Sequence, residues 1–478
     1  MKVSSFGAAR TVTGSCHILK EGDARIMVDC GLFQGHNMEE HNIDLGFDPA
    51  EISHVVLTHA HLDHCGRLPM LVKKGFKGKI FCTGPTYELA RLILLDTAKI
   101  MLEDYNHALK KHFRSSSHNN HHNNFNQEVH SIHMNKKFSP PLYNELDVFS
   151  ALDHFEPVLK YDESFPIDKK GGVSVRISDA GHILGSGFVK LSINGKSVIF
   201  SGDLGNKDKP ILNNFSYPDD ASAVYIETTY GDRLHKSFEN SRAELLEIIK
   251  NTVENGGNVL IPSFAMERTQ DLLFVLSKFY KSGELPKCKV FLDSPLAIGI
   301  TDIFLKYPGY FKKELYEEFK SEDPFELPYL KKVRDIEDSK DINNISEGAV
   351  IIAGSGMLTG GRMIHHLKHN LWRKENAMVF IGYQAPGTLG REIVNGAESV
   401  RVFGESINVG ARVYTLGGFS SHADRDELID WLGPLINKGI KKVLLIHGET
   451  GKAEVFKEAL HSKGVDSYIP SFGEEIEI

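Results

Sequence analysis

The sequence predicts an α/β protein built from two large units, and three observations predict it. At 478 residues, 41% hydrophobic and 25% charged, the chain exceeds one ordinary domain and has a globular composition able to bury sizeable cores. Its N-terminal part consists of short β-branched segments broken by glycine turns. From about Ala221 the rhythm changes to strand, helix, strand, the pattern of a parallel sheet covered on both faces.

The strand-like runs SCHILK, RIMVDC, HVVLTH, KIFCTG, GVSVRISD, GFVKLSI and KSVIFSGD make up the first unit. Between His107 and His133 they are interrupted by a tract holding seven of the 23 histidines, rich in Asn and Ser. This tract, at about 106–136, reads as a surface insertion without a core of its own. AVYIETTY then leads to the helical run SRAELLEIIKNTVEN, GNVLIPSF to ERTQDLLFVLSKFY, and CKVFLDSP follows. After the polar span Ser321–Asn344 come the strand GAVIIAG, the helix RMIHHLKHNLWR and the strand NAMVFIGY. Beyond Arg401 the pieces are short: ARVYTLGG, the helix DRDELIDWLGPLI, the strand KKVLLIHG, a last helix and VDSYIP. Spacing alone does not assign this tail to either unit.

Composition narrows the function classes. No run approaches the roughly 18 apolar residues of a spanning helix, and the N-terminus lacks the layout of a secretory signal, so no membrane partner is expected. Five cysteines, none in a C-x-x-C pair, argue for a reducing, cytoplasmic setting and against a cysteine metal site. A net charge of −8 gives no global reason to expect a nucleic-acid partner.

The strongest local signal is THAHLDHCG, Thr58 to Gly66, directly after the apolar run HVVL. His59, His61, Asp63 and His64 are side chains that zinc accepts when thiolate is absent. At a strand's end His59 and His61 project to one side, and a helical turn after them aims Asp63 and His64 at a second point. A catalytic zinc needs about three protein ligands, so four here hint at two metals. In RISDAGHILGSG, His182 sits among small residues, and in KSVIFSGDLG, Asp203 closes an apolar strand. Alone, each has an ordinary structural explanation; together with the cluster they read as ligands. With two oxygens, the Asp203 carboxylate is suited to bridge two cations.

VDCG with Asp29, HAHLDH, His182 and Asp203 resemble the metal-binding motifs of the metallo-β-lactamase superfamily. IETTYGDR with Glu227, FSSHAD with His422 and LLIHGE with His447 resemble the three extra motifs of its β-CASP branch of nucleic-acid-processing nucleases. SFAMERTQ, DSPLA, GSGMLTGGR and GYQAPGTLGR are similar to segments of that branch's cap, and the likeness covers all but the His/Asn tract. It is nearest to single-chain prokaryotic relatives of the subunit that cleaves pre-mRNA 3′ ends. With a strand starting at Met1, no additional N-terminal RNA-binding domain is expected. The resemblance implies an αββα sandwich from residues 1–204 and 400–478, with an inserted parallel α/β cap at 205–399. It implies two Zn2+ ions, the first held by His59, His61 and His182, the second by Asp63, His64 and His447, with Asp203 bridging and Asp29 orienting a ligand.

The implied activity is hydrolysis of RNA to 5′-phosphate and 3′-hydroxyl ends, by endo- or exonucleolytic action. His422 would then be the proton donor, kept charged by Glu227, with Asp203 completing the catalytic set. Substrate phosphate would meet the small-residue loop at Ser355 and Gly356 and the cap arginines Arg268 and Arg362. His365, His366 and His369 are not expected to be ligands, since the set is already complete. RNA is the expected partner, and a homodimer is left open. Two other classes compete. HxHxDH alone equally fits a dinuclear-zinc hydrolase of a small ester, lactam or thioester, which would lack the large α/β insertion. A silent RNA-binding scaffold would have lost ligands, and none is lost. Nucleases acting on DNA resemble the chain less, because their third extra motif carries an aliphatic residue where His447 stands.

Overall fold

In the computed structural model, which describes residues 1–35, 40–116, 140–168 and 172–478, two seven-stranded sheets stack face to face. The first runs in the order Glu475–Glu477, Lys2–Ser5, His17–Glu21, Ala24–Val28, His54–Val56, Lys79–Thr83, Phe155–Leu159. The second runs Ser467–Tyr468, Val443–Ile446, Ala223–Glu227, Lys196–Phe200, Gly187–Ile193, Val173–Asp179, Ser164–Pro166. Strand alternation decides the layers. Ile26 and Val28 face Val189, Leu191 and Phe200 of the opposite sheet, while Met27 between them joins the outer core. In the second sheet Val198, Phe200 and Tyr225 point inward, and Ile199, Val224 and Ile226 point to the helices outside.

Helices Gly84–Ser116 and Glu145–Leu152 cover the first sheet, and Arg425–Asn437 and Thr450–His461 cover the second. This is the expected α–β–β–α sandwich. A third sheet of six parallel strands has the order Leu330–Lys332, Lys289–Asp293, Ala349–Ala353, Val259–Pro262, Ala377–Phe380, Arg412–Thr415. Val259 and Ile261 pack under helices Phe238–Glu254 and Arg268–Lys281, while Leu260 faces helix Arg362–Asn370 on the other side. Helix Pro295–Lys306 shares a core with helix Gly84–Ser116, Ile298 and Ile300 lying in one cluster with Leu89 and Leu94, so the cap is seated on the sandwich through apolar contacts.

Two strands lie on the other side of the boundaries expected at 204/205 and 399/400. Ala223–Glu227 belongs to the second sheet of the sandwich, pairing in parallel with Lys196–Phe200 and Val443–Ile446. Arg412–Thr415 is an edge strand of the cap sheet, paired with Ala377–Phe380. Both segments are flanked by strand–helix alternation of the same spacing, so sequence periodicity cannot say which parallel sheet each one joins. The His/Asn tract, read as a surface insertion from about 106, opens on the end of helix Gly84–Ser116; its remainder lies outside the described residues. Among the described residues no helix is long and apolar enough to cross a membrane.

Candidate active site

The strand ends that carry the polar motifs converge at one end of the sandwich. The strand His54–Val56 runs into Thr58 and His59, and the short helix Leu62–Cys65 turns Asp63 and His64 the other way. This turn packs tightly on the loop after Val28: a Cβ on Gly31 would lie 1.6 Å from the Asp63 carbonyl oxygen. Parallel pairing sets Glu227 opposite Ile446 and places His447 one residue beyond. Asp29 and His447 both adopt left-handed backbone, at φ 61° and 48°, a conformation that costs a non-glycine residue roughly 1 kcal/mol and is here dictated by the surrounding loops.

Two donor groups share Asp203. His59, His61 and His182 form the first, and Asp63, His64 and His447 the second, with the donor atoms of each group and of Asp203 all within 4.8 Å. In the first, His61 Nδ1 lies 3.1 Å from both His59 Nε2 and His182 Nε2, and Asp203 Oδ2 is 3.5 and 3.6 Å from those two nitrogens. In the second, His64 Nε2 is 3.2 Å from His447 Nε2 and 3.3 Å from Asp203 Oδ1, and Asp63 Oδ2 is 3.4 Å from His447 Nε2. Tetrahedral donors 2.0–2.1 Å from a zinc ion stand roughly 3.3 Å from one another, so both spacings fit a divalent metal. Asp203 Oδ1 is buried without a hydrogen bond, which a cation between the donors would satisfy. The donors are imidazole and carboxylate only, a set zinc accepts.

Charge follows the same division. Burial holds His59 and His182 well below the usual imidazole range and pushes His61 down to about 4, so the first group presents neutral lone pairs. In the second group burial is outweighed. Asp203 and Asp29 hold His64 well above its usual range, and Asp203 and the Asp63 hydrogen bond raise His447. Asp203 is itself held well below the carboxylate range, chiefly by His447 and His64 acting against burial. These carboxylates demand nearby positive charge, the demand a cation meets.

Four of the five imidazoles are aimed by a partner on their other nitrogen. His64 Nδ1 donates to Asp29 Oδ2 at 2.7 Å, and His182 Nδ1 to the Ser421 carbonyl at 2.9 Å. His59 Nδ1 lies 3.0 Å from Thr58 Oγ1 and His447 Nδ1 3.1 Å from Thr229 Oγ1. Asp29 also takes the Thr58 amide at 2.8 Å. Lys209, only 4% exposed, donates to the His182 carbonyl and stands 3.7 Å from Glu267 of the cap. Sequence reasoning found Asp29 but not Thr58, Thr229, Ser421 or Lys209, whose roles arise from contacts distant along the chain.

Beside Asp203, His422 Nδ1 is 3.3 Å from Glu227 Oε1, and its ring lies over His182 at 4.5 Å. Glu227 is fully buried and takes the Leu204 amide at 2.7 Å. Tyr230 reaches His422 at 6.0 Å ring to ring and Tyr383 of the cap at 6.5 Å, so the two units meet next to this pair.

The cap candidates separate. Arg268 stacks on Phe264 at 4.7 Å, and a Cβ on Gly382 would fall 2.3 Å from its Nη1; among the described residues its guanidinium has no hydrogen-bond or ion-pair partner. Burial lowers its pKa. Ser355 and Gly356 follow the strand Ala349–Ala353, adjacent to Val259–Pro262, where the strand order reverses. Ser355 Oγ accepts the Thr359 amide at 3.0 Å, and Gly356 lies against Phe264. Arg362, expected to meet substrate phosphate, is instead bound to Asp293 Oδ1 at 2.6 Å and to the carbonyls of Val333 and Arg334. Asp293 is fully buried and also engages His366 and Ser339, so the arginine neutralises an interior charge.

Residues 9–100 match the Metallo-beta-lactamase superfamily, 269–393 the Beta-Casp domain, and 406–470 the Zn-dependent metallo-hydrolase RNA specificity domain. A ribonuclease of Thermus thermophilus is 39% identical over 100% of both chains. The transcription termination factor FttA of Methanocaldococcus jannaschii is 30% identical, covering 96% of this chain and 69% of its own. A crystal structure of an Enterococcus faecalis protein of unknown function superposes with a TM-score of 0.55 at 12% identity over 99% of each chain, a likeness of fold.

Proposed function

Because the chain belongs to the β-CASP branch of the metallo-β-lactamase superfamily, we propose that it is a dinuclear zinc-dependent ribonuclease that hydrolyses RNA phosphodiester bonds to 5′-phosphate and 3′-hydroxyl ends. One observation carries this reading: Asp203 turns one oxygen toward each of two donor groups, and the His422–Glu227 pair stands beside it. His59, His61 and His182 would hold the first zinc, and Asp63, His64 and His447 the second, with Asp203 between. The ions, when bound, supply an activated water near neutral pH and Lewis acidity toward the phosphoryl oxygens.

The remaining roles belong to the protein. Glu227, anchored by the Leu204 amide, orients the His422 ring through Nδ1. With Nδ1 held by Glu227, His422 delivers its proton from Nε2 to the 3′ oxygen as the P–O3′ bond breaks. Arg268, whose guanidinium makes no hydrogen bond among the described residues, has donors to offer a phosphate, and Ser355 and Gly356 offer a loop for a neighbouring one.

The test is incubation of the zinc-loaded protein with end-labelled RNA and matched DNA, before and after chelation. RNA products bearing 5′-phosphates, lost with chelator and restored by zinc, are expected. RNA left intact by zinc-loaded protein, or cleavage indifferent to chelation, would refute the proposal.

A further inference from the structure

Beneath the second donor group runs a buried polar chain that the reaction described above does not use. Ser5 Oγ is 2.9 Å from His17 Nδ1, His17 Nε2 is 3.3 Å from Ser15 Oγ, and Ser15 Oγ reaches Asp29 Oδ2 at 3.4 Å. That same oxygen takes the His64 Nδ1 proton at 2.7 Å. None of these five residues is more than 3% exposed, and the narrow void lined by Ser15, His17, Asp29 and His64 has no room for a water molecule. His17 is held flat against Phe200, ring centroids 5.7 Å apart at 27°.

The proton order along this chain has one solution. A carboxylate only accepts, so Ser15 donates to Asp29 and must itself accept from His17 Nε2–H. Burial keeps the imidazole neutral, which leaves Nδ1 as the acceptor for the Ser5 hydroxyl. Asp29 is thereby approached by Ser15 on one side and Thr58 on the other, and its Oδ2 faces His64 Nδ1. With one proton fixed on Nδ1 by Asp29, Nε2 is the His64 nitrogen that faces the donor group and Asp203.

We infer that His17 is a positioning residue for the second metal. Through Ser15 it sets where Asp29 sits, and through Asp29 it sets the tautomer and direction of His64. The inference rests on the two-metal reading above and adds a residue that lies three contacts behind the ligand.

Stepwise zinc titration against a competing chelator, with melting temperature in parallel, tests it. In His17→Phe, which keeps the ring packing, and in Ser15→Ala, the first zinc equivalent should bind as in the unsubstituted protein and the second about tenfold more weakly. His17→Gln, whose amide N–H can reach Ser15, should recover most of the second-site affinity. The double variant should lose no more than either single, because both cut one chain. Ser15→Ala alone decides the matter should His17→Phe not fold. Full second-site affinity in the single variants, additive losses, or equal loss at both sites would overturn the inference. If the unsubstituted protein takes up no second equivalent, the two-metal reading itself falls, and this inference with it.

Discussion

Arg268 and Arg362 are both cap arginines near helix starts, yet their surroundings predict opposite consequences of substitution. Arg362→Met removes the only guanidinium that the described residues place on Asp293, a carboxylate with no solvent exposure. Breaking a buried pair from one side costs about 3–5 kcal/mol. Asp293 keeps His366 at 2.7 Å and Ser339 at 2.6 Å, and Arg362 is 20% exposed, so about 2–3 kcal/mol is the better figure here. For a unit of the cap's size that lowers Tm by about 5–10 °C, while cleavage per folded molecule changes little. Arg268→Met breaks no ion pair among the described residues, and its acid neighbour Asp271 is already pushed well above the usual carboxylate range by burial. The substitution forfeits a cation–π contact of about 0.5–1 kcal/mol and relieves an unpaired buried charge, so Tm should stay within about 2 °C. Loss of a charged hydrogen bond to phosphate, about 1.5–3 kcal/mol, should instead lower kcat/KM about 10- to 100-fold. Calorimetric melting and RNA cleavage on the same preparations decide between them. An Arg362→Met protein that melts normally but loses cleavage would refute the assignment, as would an Arg268→Met protein that melts early and cleaves normally.

Asp203→Asn should abolish cleavage and leave less than a full complement of zinc by elemental analysis; full rate with stoichiometric zinc would disprove its bridging role. Glu227→Gln keeps the shape of the pair but not its charge, so kcat should fall about 100-fold with zinc content unchanged; simultaneous zinc loss would make the residue a ligand instead. Zinc affinity should depend on pH unequally. His61 is pushed down to about 4 and His59 and His182 lie lower still than their usual range, so first-site binding should be nearly constant above about pH 5. His64 and His447 are raised and must release protons to bind metal, so second-site affinity should fall as pH drops; equal pH slopes at both sites would contradict this. Asp179 is raised by burial to about 7, above its unfolded value of roughly 4, so the native state holds a proton that the unfolded chain has lost between those values. Its contribution to stability is therefore present at low pH and lost as pH rises toward 7. Asp179→Asn should flatten the Tm–pH profile over that range, and an unchanged slope would rule this out.

Most of the metal site is local in sequence. HAHLDH carries four donors because strand alternation and one helical turn aim them at two points, and both rules act over a few residues. His182, Asp203, Glu227, His422 and His447 were reachable through motif resemblance, since each closes a strand or opens a turn. What Arg362 binds is not legible in the sequence, for the opposite reason. Its partner Asp293 lies 69 residues away and meets it only when two parallel strands and a helix pack together. His17 likewise looks like any strand residue until the two sheets close over it. Strand membership failed at Ala223–Glu227 and Arg412–Thr415 because parallel strands have no local mark of their partner.

By itself, then, the sequence determined the α/β class, the donor chemistry and the histidines that supply it, since these follow from residue type and short-range periodicity. Tertiary structure alone decided which oxygen of Asp203 meets which donor group, which arginine is spent on an interior acid and which stays unpaired, and which buried partners aim each imidazole. Those are distances between residues far apart in the chain, created by burial and sheet pairing, and no local pattern encodes them.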